Sequence, residues 1–290
     1  MKEKIRSRKW LLLSAALCLA ALFIIYNVYS QKGKNNEAQL TVLMYHSVTA
    51  EDAGDYAIGA EQFRLQMQEL CAAGYETVTC AQMIDYVHEG TALPEKPLLL
   101  TFDDGYENNL TVVAPILEEL GMCATISVIG VSDGKSTYKE TGSAITPHFA
   151  LADAAPWVEK GVIEIGSHSY DMHQVTAFDG DACRQGVGML DGEEETDYIA
   201  FFNADIQKSF EQIAAVIGQR PVVFAYPQGI YSQLSEHLLE QSGIEVTLTI
   251  ESRINTLTVG KQQSLRALGR IEITAEITDI VGYLDEMQGQ

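Results

Sequence analysis

Leu98-Leu99-Leu100-Thr101-Phe102-Asp103-Asp104-Gly105-Tyr106 is the stretch on which the fold turns. Its apolar run, residues 98–102, has strand length and ends in two carboxylates and a glycine. Outward from it the pattern repeats. β-rich apolar runs predict strands at 40–46, 76–79, 98–102, 123–129, 162–166, 222–226, 245–250 and 270–273. Between them, apolar residues three and four apart predict helices near 60–73, 81–89, 110–120, 149–159, 198–218, 233–241 and 274–287. Glycines at Gly74, Gly121, Gly161, Gly218 and Gly243 punctuate the helix ends. Strand-then-helix repetition predicts an α/β fold with a parallel sheet. Seven or eight such units in about 250 residues predict a distorted (β/α) barrel, with an open doubly wound sheet as the alternative. Residues 176–197, rich in Asp, Glu and Gly, read as an irregular excursion.

In a barrel, catalytic groups belong at the C-terminal ends of strands. The polar residues of this chain follow that rule. His46 ends the first strand, Asp103 and Asp104 the third, while His168 and His173 follow the fifth and Tyr226, Pro227 and Gln228 end the sixth. Adjacent side chains on a strand point to opposite faces, so Asp103 and Asp104 meet at one point only if the chain turns there. Gly105 is expected to open that turn. One carboxylate and two imidazoles suit a divalent ion, which leaves the second carboxylate free as a general base. The competing reading is an Asp-Asp-Gly turn capping the next helix. Gly166-Ser167-His168-Ser169-Tyr170-Asp171-Met172-His173 carries two histidines five residues apart, within reach of one ion. They read equally as unrelated surface residues. His46 alone is as compatible with a satisfied rim histidine as with a functional one, and His88, His148 and His237 read as structural or surface residues.

The chain has 290 residues, 47% of them hydrophobic, and a formal net charge of -21. Nucleic-acid binding needs a basic footprint, and none is present. Acidity itself reads as a solvated surface. The five cysteines, Cys18, Cys71, Cys80, Cys123 and Cys183, form no CxxC pair and no zinc-finger spacing. At the N-terminus, Lys2, Lys4, Arg6, Arg8 and Lys9 precede an uncharged apolar run, residues 10–28. That run has the length of one transmembrane helix, and the basic flank predicts a cytoplasmic N-terminus with the remainder exported. A cleaved signal peptide ending near Ser30, or a lipoprotein signal at Cys18, are the alternatives. The expected organisation is a basic tip and membrane segment (1–30), a polar linker (31–39) and one domain (40–290). This places the domain on the outer face of a cell membrane as a single-pass protein, or free outside the cell after signal cleavage.

Three of these motifs together, Met44-Tyr45-His46-Ser47, residues 101–106 and residues 164–173, make the chain resemble the polysaccharide deacetylases with a NodB-type domain, carbohydrate esterase family 4. Its motif spacing is similar to that of the poly-N-acetylglucosamine deacetylases. The likeness runs over roughly residues 40–284. It implies a NodB-type distorted barrel and a hydrolase that removes N-acetyl groups from an amino-sugar polymer, in peptidoglycan or an exopolysaccharide. It implies Asp103 as general base and Asp104, His168 and His173 as ligands of a divalent ion, zinc with cobalt or nickel as substitutes. It further implies the Gln228 backbone N–H as oxyanion donor, and Tyr106, Tyr226 and Pro227 against the substrate. Departures are visible. Ala225 stands where many relatives have an arginine that tunes the base, and Gln228 stands where an aromatic residue is common. Residues 268–273 lack the histidine that often serves as general acid, for which His46 is the candidate replacement. The other readings are a catalytically weak glycan- or wall-binding module on the same fold, and an esterase of O-acetylated glycans.

Overall fold

The computed structural model describes residues 36–49 and 56–288. The expected membrane or signal segment (1–30), most of the linker and Cys18 lie outside the described residues. Among the described residues no helix is long and apolar enough to cross a membrane.

One curled sheet forms the centre. Its strand order is β10 (Asn255–Thr258), β1 (Glu37–Tyr45), β5 (Pro97–Phe102), β6 (Ala124–Val128), β7 (Ile163–Ser167), β8 (Val223–Ala225) and β9 (Val246–Leu248). β11 (Ile271–Glu272) also pairs with β1, and β4 (Glu76–Thr77) with β5. The ladders from β1 through β5, β6, β7 and β8 to β9, and those of β11 with β1 and β4 with β5, are parallel, as the alternation of strand and helix requires. A separate small ladder joins β2 (Ser47–Thr49) to β3 (Ala57–Gly59). The register sets the strand ends level. Tyr45 lies opposite Phe102, Phe102 opposite Ile126, and Ser167 opposite Phe224. The residues just beyond those ends therefore share one rim.

The curl joins the sheet's two flanks at one place. The Thr249 N–H donates to the Leu268 carbonyl and the Leu268 N–H to the Thr247 carbonyl, both at 2.8 Å. Three residues beyond Leu268, Ile271 is already opposite Leu43 in β1. The result is a distorted half-barrel tied by a single narrow segment, not the open doubly wound sheet.

Side-chain alternation divides the strands into two faces. Leu43, Tyr45, Leu98, Leu100, Phe102, Ile126, Ile163 and Ile165 face outward into one apolar cluster. α1 (Ala60–Ala72), α3 (Ala114–Leu120), α4 (Leu151–Glu159) and α7 (Ile280–Gln288) cover it, with α2 (Cys80–Glu89) between α1 and α3 in sequence. A second cluster packs α5 (Glu195–Ile217) and α6 (Gln233–Gln241) on Phe224 and Tyr226. Residues of the opposite parity (Thr101 and Asp103, Thr125 and Ser127, Glu164 and His168, Arg270) face the enclosed side, where several of them bond to one another. Thr125 donates to Glu164 at 2.8 Å, and Arg270 reaches both Thr101 and Asp103.

Local chemistry explains several boundaries. Thr79 and Gln82 form a capping box on α2, and Gly90 ends that helix in a left-handed conformation. α7 begins at Ile280 rather than at residue 274, because the carbonyls of Ala275 and Ile277 are held by Gln62 and Gln66 of α1. Residues 176–194 are irregular apart from one helical turn, Thr176–Asp179, as expected. Buried Arg184 pins that excursion through the Gly188 carbonyl at 2.7 Å and the Glu193 carboxylate. β2, β3 and β10 were not anticipated, since three- and four-residue strands carry too little pattern to announce themselves.

Candidate active site

The chain leaves β5 through Asp103 and then folds sharply. Asp104 has φ 73° and Gly105 φ 81°, so Asp104 itself takes the left-handed turn that the sequence assigned to Gly105. A non-glycine residue there is uncommon and carries strain, as at other functional sites. The turn cancels the strand alternation and brings both carboxylates to the same rim. Ser169 (φ 70°), after β7, and Gln228 (φ 52°), after β8, are bent in the same way.

Asp104, His168 and His173 converge as expected. One ligand atom from each lies within 4.8 Å of the others. Each histidine Nε2 is 3.7 Å from Asp104 Oδ1, too long for a hydrogen bond. That oxygen is buried and has no hydrogen-bond partner. A buried acceptor left unpaired is costly unless something else binds it, and two imidazole nitrogens face the same point. His168 Nδ1 is 2.8 Å from the Ala225 carbonyl. That contact places the proton on Nδ1 and leaves the Nε2 lone pair free to bind metal. Burial drives the His168 imidazole down to about 4, partly offset by the charge of Asp103, so it stays neutral as a ligand must. The donor set fits a divalent ion such as zinc.

Asp103 occupies a different environment. Arg270 grips it with both terminal nitrogens, Nη1 to Oδ1 at 2.8 Å and Nη2 to Oδ2 at 2.7 Å. Arg270 is fully buried, and its Nε donates to the Thr249 carbonyl at 2.8 Å. Burial pushes the Asp103 carboxyl up, but the Arg270 guanidinium outweighs it and holds the carboxyl well below the usual range. The pairing thus favours the ionised carboxylate. The arginine that seemed missing at Ala225 is present in space, supplied by the segment that ties the half-barrel. In sequence the two positions are far apart, and residues 268–273 stand where the family's histidine is expected, so the arginine's role is not local. The signal was Arg270 itself, a cation inside an apolar strand pattern.

His46 is half-buried beyond β1, with its ring 5.2 Å from that of Tyr56. Its charge lies close enough to lower both Asp103 and Asp104, so it belongs to the rim. The Asn109 side chain fixes its backbone through the His46 carbonyl at 2.8 Å. Gln228 is exposed in a tight turn. The N–H groups of Gly229 and Ile230 donate back to Tyr226 and Pro227, whereas the Gln228 N–H is not used by that turn. Tyr106 is partly exposed beside Asp104. Burial first, then the Asp104 charge, pushes its hydroxyl ionisation up.

Three expectations need correction. Tyr226 is fully buried, stacked on Tyr231 at 4.5 Å and edge-on to Phe224 at 5.6 Å. Pro227 is buried as well. Neither offers a surface to substrate; they shape the turn that presents Gln228. His148, read as structural or surface, pairs with Tyr106 across a β-bridge, with ring centroids 5.0 Å apart, and senses the charges of Asp104 and His173. It therefore stands at the edge of the site. His88 and His237 are exposed, as expected, and each lies near a glutamate.

Comparison with known proteins agrees with this arrangement. Residues 90–247 match the family model for polysaccharide deacetylase. YxkH of Bacillus subtilis (strain 168), whose name assigns it provisionally to the polysaccharide deacetylases, is 25% identical over 253 residues, 87% of this chain and 78% of its own length. The poly-beta-1,6-N-acetyl-D-glucosamine N-deacetylase of Escherichia coli (strain K12) is 25% identical over 72% of this chain, which spans only 34% of that protein. Among solved structures, IcaB from Ammonifex degensii shares the fold with a TM-score of 0.69 at 24% identity, covering 85% of this chain and 96% of that one. With more than half of its residues matched by the family model, the chain belongs to the polysaccharide deacetylase family.

Proposed function

We propose that the chain hydrolyses N-acetyl groups on an amino-sugar polymer of the poly-N-acetylglucosamine class. The observation that carries this reading is the pair of carboxylates at the end of β5, one facing two histidines and the other locked to a buried arginine. Asp104, His168 and His173 would hold a divalent ion, zinc in this reading, which when bound would supply Lewis-acid polarisation of the acetyl carbonyl and of water. Asp103 is the general base. Arg270 occupies one lone pair on each of its oxygens and leaves the others open to a proton. The arginine weakens that base but keeps it ionised over the working range. Gln228 N–H, for which the turn's own hydrogen bonds from Gly229 and Ile230 leave a role, is the oxyanion donor in this reading. His46, on the same rim, is the candidate in this reading for protonating the departing amine.

Arg270 also bears on the rival reading as a silent binding module, which the absence of an arginine at Ala225 and of the acid histidine in residues 268–273 would favour. The complete ion pair favours catalysis. The basic tip and the uncharged run at residues 10–28 support an anchor in a cell membrane with the domain outside, secretion after cleavage being the alternative. The test is acetate release by the purified chain from N-acetylglucosamine oligomers, with zinc, with cobalt, or after chelation. Metal-dependent release that disappears in Asp103→Asn is expected. Release only from O-acetylated glycans would replace the amide with an ester. Tight metal binding without release from any acetylated glycan would favour the binding module.

A further inference from the structure

The loop between the two metal histidines decides whether their Nε2 atoms converge, and it has no regular structure of its own. Side-chain oxygens take the N–H of each of its four residues. Ser169 N–H donates to Ser167 Oγ at 3.2 Å, and Met172 N–H to Ser169 Oγ at 3.0 Å. The middle two, Tyr170 and Asp171, donate to the two oxygens of one carboxylate, Asp205 Oδ1 and Oδ2, both at 2.8 Å. From the other side, the Ser169 and Tyr170 carbonyls accept from the Gly130 and Val131 N–H groups at 3.0 and 2.9 Å.

Asp205 sits on α5, and its neighbours on that helix face hold the same region. Four residues on, Ser209 Oγ is 2.8 Å from Ser167 Oγ. Seven residues on, Gln212 donates to the Gly130 carbonyl at 3.1 Å and to Asp133 at 2.9 Å. Spacings of four and seven place all three on one stripe. The stripe is polar within an otherwise apolar buried face, where Tyr198, Phe202, Ile206, Phe210 and Ile213 make the core. Asp205 is only 7% exposed, and no arginine or lysine forms an ion pair with it among the described residues. Burial drives its carboxyl up to about 6 even with two N–H donors. A buried carboxylate without a direct ion pair, eased only by the more distant charge of Lys208, is an expensive way to hold a helix in place. Its geometry suits a different task, gripping two successive N–H groups of a bent loop.

We infer that Asp205 is a positioning residue for the metal centre: by holding the Tyr170 and Asp171 N–H groups it fixes the separation of His168 and His173, and thereby sets affinity for the divalent ion. The inference rests on Asp104, His168 and His173 being the metal ligands. Asp205 acts only through the loop backbone.

The experiment compares full-length wild type, Asp205→Asn, Asp104→Asn and Ile213→Val. Zinc affinity is measured by chelator competition, the cobalt(II) absorption spectrum is recorded, and the Tm of the metal-free protein is taken. Asn replaces one acceptor oxygen with an NH2 that faces another donor. Outer-sphere changes of this kind weaken metal binding about 10–100-fold, and a loss of that size is expected in D205N together with a shifted cobalt spectrum. Ile213→Val trims the same helix without touching the loop and should keep wild-type affinity. D205N binding zinc within about twofold of wild type, against this 10–100-fold expectation, overturns the inference. So does I213V losing affinity in step with its Tm, which would make the effect one of general stability. No binding by wild type, or undiminished binding by D104N, instead defeats the metal-site reading, and this inference with it. Should D205N not fold, Asp205→Glu is read in its place. It is expected to fold and to bind more weakly, and wild-type affinity there would mark Asp205 as a folding residue only.

Discussion

Replacing Arg270 with Met should destabilise the metal-free protein strongly, and a second change at Asp103 should repair part of the damage. Arg270 is fully buried and donates to both Asp103 oxygens and to the Thr249 carbonyl. Removing one partner of a buried ion pair costs about 3–5 kcal/mol, because the other charge is left without compensation. For a domain of this size, about 3 kcal/mol lowers Tm by roughly 6–12 °C. Asp103→Asn in the Arg270→Met background removes the stranded charge, so the two changes should not add. Coupling of about 2–3 kcal/mol is expected from a double-mutant cycle, at the upper end for residues in direct contact. The lost Thr249 contact is common to both Met-containing variants and cancels. pH supplies a second arm. In wild type the Asp103 carboxyl lies below its ordinary value, so the pair's contribution is complete above the ordinary carboxylate range and is lost only as pH falls through the folded value. In Arg270→Met burial is opposed only by the smaller influence of His168 and His46, so the carboxyl rises. The variant's deficit should therefore be largest at neutral pH and shrink as acid protonates the group. Denaturant unfolding of the four proteins at two pH values measures both arms. Additive losses, with coupling below about 0.5 kcal/mol, would refute the assignment of Arg270 as the partner that keeps Asp103 ionised.

Other outcomes follow from the same geometry. His46→Gln should lower kcat about 10²–10⁴-fold while zinc affinity is unchanged, which steady-state kinetics and chelator competition would separate. Gln228→Gly keeps the N–H and tolerates φ 52°, so deacetylation should persist at near wild-type kcat; a large loss would show that the side chain, not the backbone, does the work. Tyr226→Phe should leave KM for glycan oligomers unchanged, since the ring is buried against Tyr231 and meets no substrate. Lys139→Met removes the ammonium that bridges Asp171 and Asp179 at 2.8 and 2.9 Å across the histidine loop. Faster proteolysis near residues 171–183, with little change in Tm, is the expected signature.

The order of strands and helices was readable because each long strand is an apolar run and each helix has an apolar stripe. The three metal-binding candidates were readable because two of them share one loop and the third follows a strand end. What escaped the sequence depends on contacts between distant segments. Arg270 meets Asp103 across 167 positions. Nothing local at residue 270 says that β11 will lie beside β1 and aim inward. Tyr226 was misplaced for a related reason. It follows a strand end, where exposure is the rule, but the chain enters a 3₁₀ turn at Pro227 and the ring falls back onto Phe224 and Tyr231. His148 was invisible because it reaches the site through an isolated bridge to Tyr106, with no strand pattern around it.

The narrow tie between β9 and β1 has a bearing on how this protein should be cut. The family model begins at residue 90 and stops at residue 247, yet His46 lies before that span and Arg270 beyond it. Both reach Asp103 because β1 and β11 lie side by side, one from each end of the described chain. A fragment trimmed to the recognised span would keep Asp104, His168 and His173 and lose both Arg270, which pairs with Asp103, and His46, the acid proposed above. It would also lose the stitch at Leu268. Such a fragment would be a chelator built like an enzyme, and screening it for turnover would wrongly condemn the whole protein as inert.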